Sequence, residues 1–219
     1  MGETTDTPES PRFDAAFREK LAELFAWRRD VRRFRTDPVP RELLDRLLRQ
    51  ATLAPSVGMS QPWRFVLVEN PRRREAVCRN FERCNEAALQ TYTGERARHY
   101  AALKLSGLRD APVHLAVFAD PGTSRGHGLG RATMPEMLQY SVVTAVYTFW
   151  LAARAAGVGV GWVSILDPAE IAQTLEVPPE WRLIAYLCVG YPAEAHDDPE
   201  LARHGWESRV TVADVTYYR

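Results

Sequence analysis

A long segment with few charges constrains the fold of this 219-residue chain more than any other feature. Residues 135–156 carry mainly apolar side chains, and Gly157, which follows directly, is of a type that commonly ends helices. A helix with so few charged positions belongs in a protein interior. The segment therefore predicts a long buried helix around which other elements must pack.

Four short apolar segments predict β-strands. They comprise residues 64–68, 113–119, 158–164 and 183–189. Helices are predicted before and between them, at residues 14–27, 40–54, 71–88 and 92–107, with a short one from 167. Because strands alternate with helices and no repeat or linker interrupts them, we expect one α/β or α+β domain over residues 12–219, preceded by a disordered tail at 1–11.

The composition narrows the class of protein. Hydrophobic residues make up 46% of the chain, which is too many for a disordered protein. Basic and acidic side chains number 28 each, so neither a nucleic-acid surface nor a membrane surface is expected. Three cysteines without a CxxC pair indicate neither a disulfide framework nor a zinc site. With no apolar leader or membrane span in the sequence, we expect a cytoplasmic protein.

Common signatures of nucleotide, hydrolase and metal chemistry are absent from the sequence. The glycines at 126/128/130 and at 157/159/161 alternate, so they do not form the GxGxxG dinucleotide fingerprint. No phosphate-binding P-loop, GxSxG elbow or HExxH pair occurs. We therefore expect no metal site and no nicotinamide-binding fold.

Five arginines lie within eight residues: Arg28, Arg29, Arg32, Arg33 and Arg35. A planar guanidinium grips phosphate in two places, so one cluster in a neutral chain suits a small phosphorylated ligand. The cluster is equally typical of a solvated helix end, and a nucleic-acid patch is a third interpretation. Asp30 stands among these arginines, either as their ion-pair partner or as a proton carrier beside their ligand.

Two further segments suit the approach of a ligand. Residues 54–63 form a loop with two prolines and Gly58, and its backbone N–H groups can approach a planar ring. Alternatively, the loop only joins a helix to a strand. Glycines in segment 158–164 permit close approach of a ligand or of another backbone, and Ser164 ends that strand, where functional side chains often lie. Asp167 is expected to cap the next helix.

These segments together resemble the flavin-dependent nitroreductase superfamily. RRDVRRF and APSVGMSQPWRF carry the resemblance, which continues through APVHLAVF, GLGRATMPEMLQYSVV, GVGVGWVSILDP, LCVGYP and GWESR. This chain has Asp30 at a position where the superfamily usually has serine. It has Met59 at a position where the superfamily often has asparagine. With these differences, the chain is similar to the branch of the superfamily that consumes its flavin.

The resemblance implies a fold and an activity. The fold is a nitroreductase-like α+β sandwich, with a central mixed or antiparallel sheet flanked by helices, in an intertwined homodimer with FMN at the interface. The activity is oxygen-dependent cleavage of reduced FMN to 5,6-dimethylbenzimidazole, the lower ligand of cobalamin, with erythrose 4-phosphate as companion product. A separate flavin reductase is expected to supply the reduced FMN.

The resemblance also implies roles for individual residues. Asp30 and Ser164 would be catalytic, with Asp30 moving protons. The residues expected to bind FMN are Arg28, Arg29, Arg32, Ser56, Gly58, Gln61 and Arg209. Met134, Met137, Leu138 and Tyr140 suit either a lid over the flavin or the core, and Arg209 by itself is equally typical of a surface arginine. The tail at 211–218 has a β-like composition and would belong with a neighbouring subunit.

Two other functions stay open on the sequence alone. An FMN-dependent NAD(P)H nitroreductase or flavin reductase would retain its FMN through each turnover. A non-catalytic flavin-binding protein would bind FMN without turning it over. Whether FMN is consumed separates these functions from flavin cleavage.

Overall fold

A four-stranded antiparallel sheet forms the centre of the computed structural model, which describes residues 10–102 and 106–219. Its strands are β1 (Trp63–Leu67), β2 (Val113–Ala119), β3 (Gly159–Val163) and β4 (Arg182–Gly190), in the order β1-β2-β4-β3. All four predicted strands are confirmed, and each neighbouring pair is antiparallel. Residues 1–9 of the predicted tail lie outside the described residues, and Ser10 and Pro11 are exposed.

Eight α-helices surround the sheet in the described part of the chain. They are α1 (Ala15–Trp27), α2 (Arg41–Ala51), α3 (Pro71–Leu89), α4 (Gly94–Ala102), α5 (Gly107–Asp110), α6 (Met137–Ala155), α7 (Pro168–Leu175) and α8 (Glu200–Arg203). The helix predicted at 92–107 is replaced by α4 and the start of α5. None of the helices in the described residues is long and apolar enough to cross a bilayer.

Side chains of β2 alternate between two apolar layers, as the twofold period of a strand requires. Leu115 and Val117 pack with the layer that contains α2 and α6. Ala116 and Phe118 pack with the layer that contains α3, α5 and α7. Helices therefore cover both faces of the sheet, which confirms the sandwich architecture. Cys188 of β4 is buried in the second layer, as expected of a core residue.

Helix α6 is confirmed, but only one of its faces is buried in the single chain. Its inward residues include Leu138, Val142, Val146 and Phe149. On the outward face, Tyr140, Val143 and Tyr147 keep 41–52% of their surface exposed. Of the four residues that suited a lid or the core, Leu138 lies in the core, Met137 is half-buried, and Met134 and Tyr140 are exposed. We call the surface of Tyr140, Val143 and Tyr147 the α6 stripe.

The tail at 211–218 forms no strand in the described chain. It contains a 3₁₀ turn at Ala213–Val215, and large apolar side chains face solvent, among them Val212, Val215, Tyr217 and Tyr218. The expected place of the tail beside a neighbouring subunit stays a prediction. Within the described chain, the tail pairs with no strand of the sheet, and its side chains belong to neither apolar layer.

Candidate active site

The arginine-rich segment, residues 28–35, lies along the outer edge of β3, which is an end strand of the sheet. The backbone N–H of Val31 donates to the carbonyl of Val160 at 3.0 Å. The backbone N–H of Trp162 donates to Oδ1 of Asp30 at 2.8 Å. Because an edge strand otherwise presents unpaired N–H groups, the Asp30 carboxylate stands in for the carbonyl of a neighbouring strand.

Two glycines of β3 make this close approach possible. A Cβ atom at Gly161 would overlap the carbonyl oxygen of Val31, and one at Gly159 would lie 2.8 Å from Cγ2 of Val31. Neither position has room for a side chain without moving the segment. The expectation that glycines in this strand permit close approach of another backbone is confirmed.

The chain that follows β4 holds the arginine-rich segment from its other side. The backbone N–H of Arg35 donates to the carbonyl of Tyr191 at 2.8 Å, and that of Ala193 donates to the carbonyl of Arg33 at 3.0 Å. Backbone hydrogen bonds on both sides therefore fix the path of the segment.

An acidic segment, residues 194–200, then crosses the arginines. Arg29 donates from Nε and Nη2 to the carbonyl of Asp197, at 3.0 and 2.6 Å. Arg33 pairs with Glu194 and, at 3.4 Å, with Glu200. No motif of the sequence predicted this contact. Its signal was present in the composition, since four of these seven residues are Asp or Glu and carry the charge opposite to the cluster.

Asp30 is a half-buried carboxyl with an altered affinity for protons. Burial among protein atoms raises the pKa of Asp30, and the negative charge of Glu200 adds to that rise. The Trp162 N–H and the Arg32 guanidinium lower the pKa. The net result is a pKa above the ordinary value of an aspartate. Oδ2 lies 3.6 Å from Nε of Arg32, and 39% of the side-chain surface still faces solvent. Such a group can accept and return protons closer to neutral pH than an ordinary aspartate.

The arginines leave donors that nothing in the described chain satisfies. Nε of Arg28 and Nε of Arg32 are buried without a hydrogen-bond partner. The Arg28 guanidinium lies 4.7 Å from the ring centre of Trp150. Desolvation, followed by the like charges of Arg209 and Arg28, lowers the pKa of Arg29. Guanidinium groups that converge with unsatisfied donors fit an anion such as phosphate.

The loop at residues 54–63 packs against the first half of α6. Ser141 Oγ accepts from the backbone N–H of Val57 at 3.0 Å, and Thr144 Oγ1 donates to the carbonyl of Pro55 at 2.9 Å. Within the loop, the N–H of Gln61 donates to Oγ of Ser56 at 3.1 Å.

Gly58 in this loop has a φ of +53°, and a Cβ there would lie 2.7 Å from the carbonyl oxygen of Leu129. Its close approach is thus to the glycine-rich loop that precedes α6. Donation from the Gly58 N–H to a flavin ring stays a prediction.

Helix α6 connects the two candidate binding segments. The loop contacts it at Ser141 and Thr144, whereas Arg28 lies over the rings of Tyr147 and Trp150. At a rise of about 1.5 Å per residue, these contacts span roughly 14 Å of helix. An elongated ligand lying along α6 would meet both segments.

Ser164 lies just beyond the end of β3, two residues after the Trp162 that binds Asp30. Its side chain is exposed, and within the described residues no hydrogen bond joins it to Asp30. Asp167 accepts from the backbone N–H groups of Ala169 and Glu170, at 2.9 and 3.2 Å, so its predicted role as a helix cap is confirmed. The structure thus brings Asp30 to Arg32 but does not bond it to Ser164.

The cavity between the arginine-rich and acidic segments holds only ≈ 40 Å³. Pockets that enclose small molecules usually measure about 300–1,000 Å³. A nucleotide held by these arginines must therefore extend beyond this cavity, over the exposed surface of the single chain.

The chain is similar to known proteins over most of its length. Residues 25–191 match the model of the Nitroreductase family. The chain is 58% identical to 5,6-dimethylbenzimidazole synthase from Rhodospirillum rubrum, over 91% of this chain and 94% of that protein. It is 46% identical to 5,6-dimethylbenzimidazole synthase from Rhodobacter capsulatus, over 90% and 96%. A crystal structure of iodotyrosine deiodinase bound to FMN and 3-iodo-L-tyrosine has a TM-score of 0.68 at 28% identity, covering 80% of this chain and 91% of that one.

The Gly161→Ala variant tests whether β3 depends on this close approach. We expect it to lower the free energy of unfolding by roughly 1–3 kcal/mol, as overpacking does, because the new methyl group displaces Val31. The Trp162 amide should then exchange with solvent faster, since its bond to Asp30 is lost. Denaturant unfolding and amide exchange measure both effects. Gly122→Ala is the control, because its new Cβ would meet only a side-chain oxygen of Asp120, at 3.3 Å, and no backbone atom. Equal stability of the two variants would contradict the account.

Proposed function

This chain belongs to the nitroreductase family, and we propose that it catalyses the oxygen-dependent cleavage of reduced FMN to 5,6-dimethylbenzimidazole. Erythrose 4-phosphate would be the companion product. The observation that carries this proposal is the identity to 5,6-dimethylbenzimidazole synthases over nearly the whole chain. The half-buried carboxyl of Asp30, placed at the edge of an arginine cluster, supports the same reaction.

The proposed FMN site uses both candidate segments. Its arginines are Arg28, Arg29, Arg32 and Arg209, which would hold the phosphate and ring oxygens. Its loop residues are Ser56, Gly58 and Gln61, which would meet the ring farther along α6. The Nε atoms of Arg28 and Arg32, which have no partner in the described chain, support an anionic ligand at these residues.

Bound in its reduced form, FMN supplies the electrons for the reaction with oxygen. The protein has to position the ring, exclude water and move protons. Oδ1 of Asp30 is held by the Trp162 N–H, so we assign proton exchange to Oδ2. The raised pKa of Asp30 suits a group that both takes and gives protons. Ser164, which lies just beyond the end of β3, would orient Asp30 or relay a proton.

We further propose that the working unit is a homodimer with FMN at its interface. The small cavity beside Asp30 leaves most of a nucleotide uncovered by one chain. Tyr147 of the α6 stripe lies beneath the guanidinium of Arg28, and the tail at 211–218 also exposes apolar side chains. A second copy would cover these surfaces and enclose the ligand. We also propose a cytoplasmic location. A separate reductase would supply the reduced FMN, because the sequence has no nicotinamide fingerprint.

Sedimentation equilibrium at micromolar concentration tests the homodimer. We expect twice the chain mass of 24.8 kDa, with no folded monomer on dilution, because a monomer would expose the α6 stripe and the tail together. A Tyr147→Glu variant places a charge in the stripe and should shift the equilibrium towards monomer. A stable, folded wild-type monomer would contradict the proposal.

The Asp30→Asn variant tests the reaction. The amide keeps an oxygen for the Trp162 N–H but removes the titratable proton. We expect folding and FMN binding to persist, while benzimidazole formation falls by roughly 10²-fold or more, as for the loss of a general acid or base. Reduced FMN should still be oxidised by air, so oxidation and product formation become uncoupled. Product chromatography beside flavin absorbance measures both.

The matched control is Asp37→Asn, which removes an exposed carboxylate paired with Arg35. It should leave the yield of benzimidazole unchanged, and thermal melts check that each variant is folded. A near wild-type yield from Asp30→Asn would mean that Asp30 only covers the edge of β3. A wild-type protein that returns all its FMN intact would favour a nitroreductase, or a flavin-binding protein if it showed no turnover.

A further inference from the structure

We propose that Glu200 is a positioning residue for Asp30, because it competes for the Arg32 guanidinium and keeps it from closing onto the Asp30 carboxyl. The inference rests on the proposed function, which gives Asp30 the task of moving protons. Glu200 lies about 170 residues from Asp30 in the sequence, at the start of α8, and no motif of the sequence analysis includes it.

Arg32 lies between two carboxylates and is bonded to neither through Nε. This atom is 3.6 Å from Oδ2 of Asp30 and 3.9 Å from Oε2 of Glu200. It is buried and has no hydrogen-bond partner in the described chain. An arginine beside a single carboxylate would normally approach to hydrogen-bond distance. The two opposing attractions therefore account for its intermediate position.

Glu200 is held firmly enough to act in this way. Its side chain is only 11% exposed, and Oε1 lies 3.4 Å from Nη1 of Arg33 and 3.8 Å from Nε2 of His204. The Arg32 side chain is 14% exposed. Charges so shielded from water act on one another more strongly than surface charges do.

The charges around the pair set the direction of the effect. The charged or titratable groups near Asp30 are Arg32, Glu200 and the Cys188 thiol. Those that face Glu200 are Arg32, Arg33 and His204. Beyond these, Glu194 pairs with both Arg33 and His196. The negative charge of Glu200 raises the pKa of Asp30, whereas Arg32 lowers it. Without that charge, Arg32 would pair with Asp30 alone, and Asp30 would lose its proton at lower pH.

The test is the titration of the Asp30 carboxyl carbon by NMR in flavin-free, ¹³C-labelled protein, so it needs no activity. In Glu200→Gln, which keeps the shape and removes the charge, we expect the midpoint to fall by roughly 0.5–1 pH unit. The matched control is Glu194→Gln, which removes an acid that contacts Arg33 but not Arg32, and its midpoint should match the wild type. An unchanged midpoint in Glu200→Gln would overturn the proposal.

A second variant covers the case in which Glu200→Gln does not fold. Glu200→Asp keeps the charge on a side chain one methylene shorter, so its carboxylate lies farther from Arg32, and the midpoint of Asp30 should again fall. An unchanged midpoint in Glu200→Asp would overturn the proposal. In the enzyme assay, the inflection in the pH profile of benzimidazole formation should move to lower pH in Glu200→Gln. If the midpoint moves but the wild type forms no benzimidazole, the proposed function fails and the coupling between Glu200 and Asp30 stands.

Discussion

The outer edge of β3 must find hydrogen-bond acceptors, and a side chain supplies one of them. The Trp162 N–H is satisfied by the carboxylate of Asp30, and Gly161 leaves the space that this contact needs. Once Asp30 and Val31 are bound to this edge, the backbone positions of the arginines before and after them are also restricted. The chain leaving β4 then passes beside them and brings the acidic segment into contact. The location of the cluster thus follows from the covering of one strand edge.

The same contact explains how one carboxylate can be both structural and, in the proposed reaction, catalytic. One oxygen of Asp30 is committed to the sheet, so the position of the group is set by the backbone and not by a flexible side chain. The other oxygen faces Arg32 and the solvent-accessible side. A positioned carboxyl with a raised pKa is the arrangement that proton transfer requires, and Arg32 and Glu200 adjust it in opposite directions.

Local features of this fold could be predicted from the sequence, whereas the meeting of distant segments could not. The bounds of β2 follow from a short apolar run after Pro112, and Asp167 caps α7 because its carboxylate reaches two nearby N–H groups. The contact of Arg33 with Glu194 joins residues 161 positions apart, and neither period nor propensity encodes such a distance. The apolar sequence of α6 predicts burial on all sides, but its outward face is exposed in the single chain. Apolar residues alone do not tell whether the element that covers them lies in the same chain. The arginine cluster and Gly58 had physical signals of their own in the sequence, whereas Ser56, Gln61 and Arg209 were named from family resemblance alone.

The central claim is that this protein consumes its flavin. The most direct test is a single-turnover mass balance, with protein and an equal amount of reduced FMN mixed without oxygen and then exposed to air. Flavin absorbance and chromatography follow the fate of the isoalloxazine ring. The account predicts that flavin absorbance does not return in full and that each FMN lost appears as one 5,6-dimethylbenzimidazole. Full recovery of oxidised FMN without benzimidazole would contradict it.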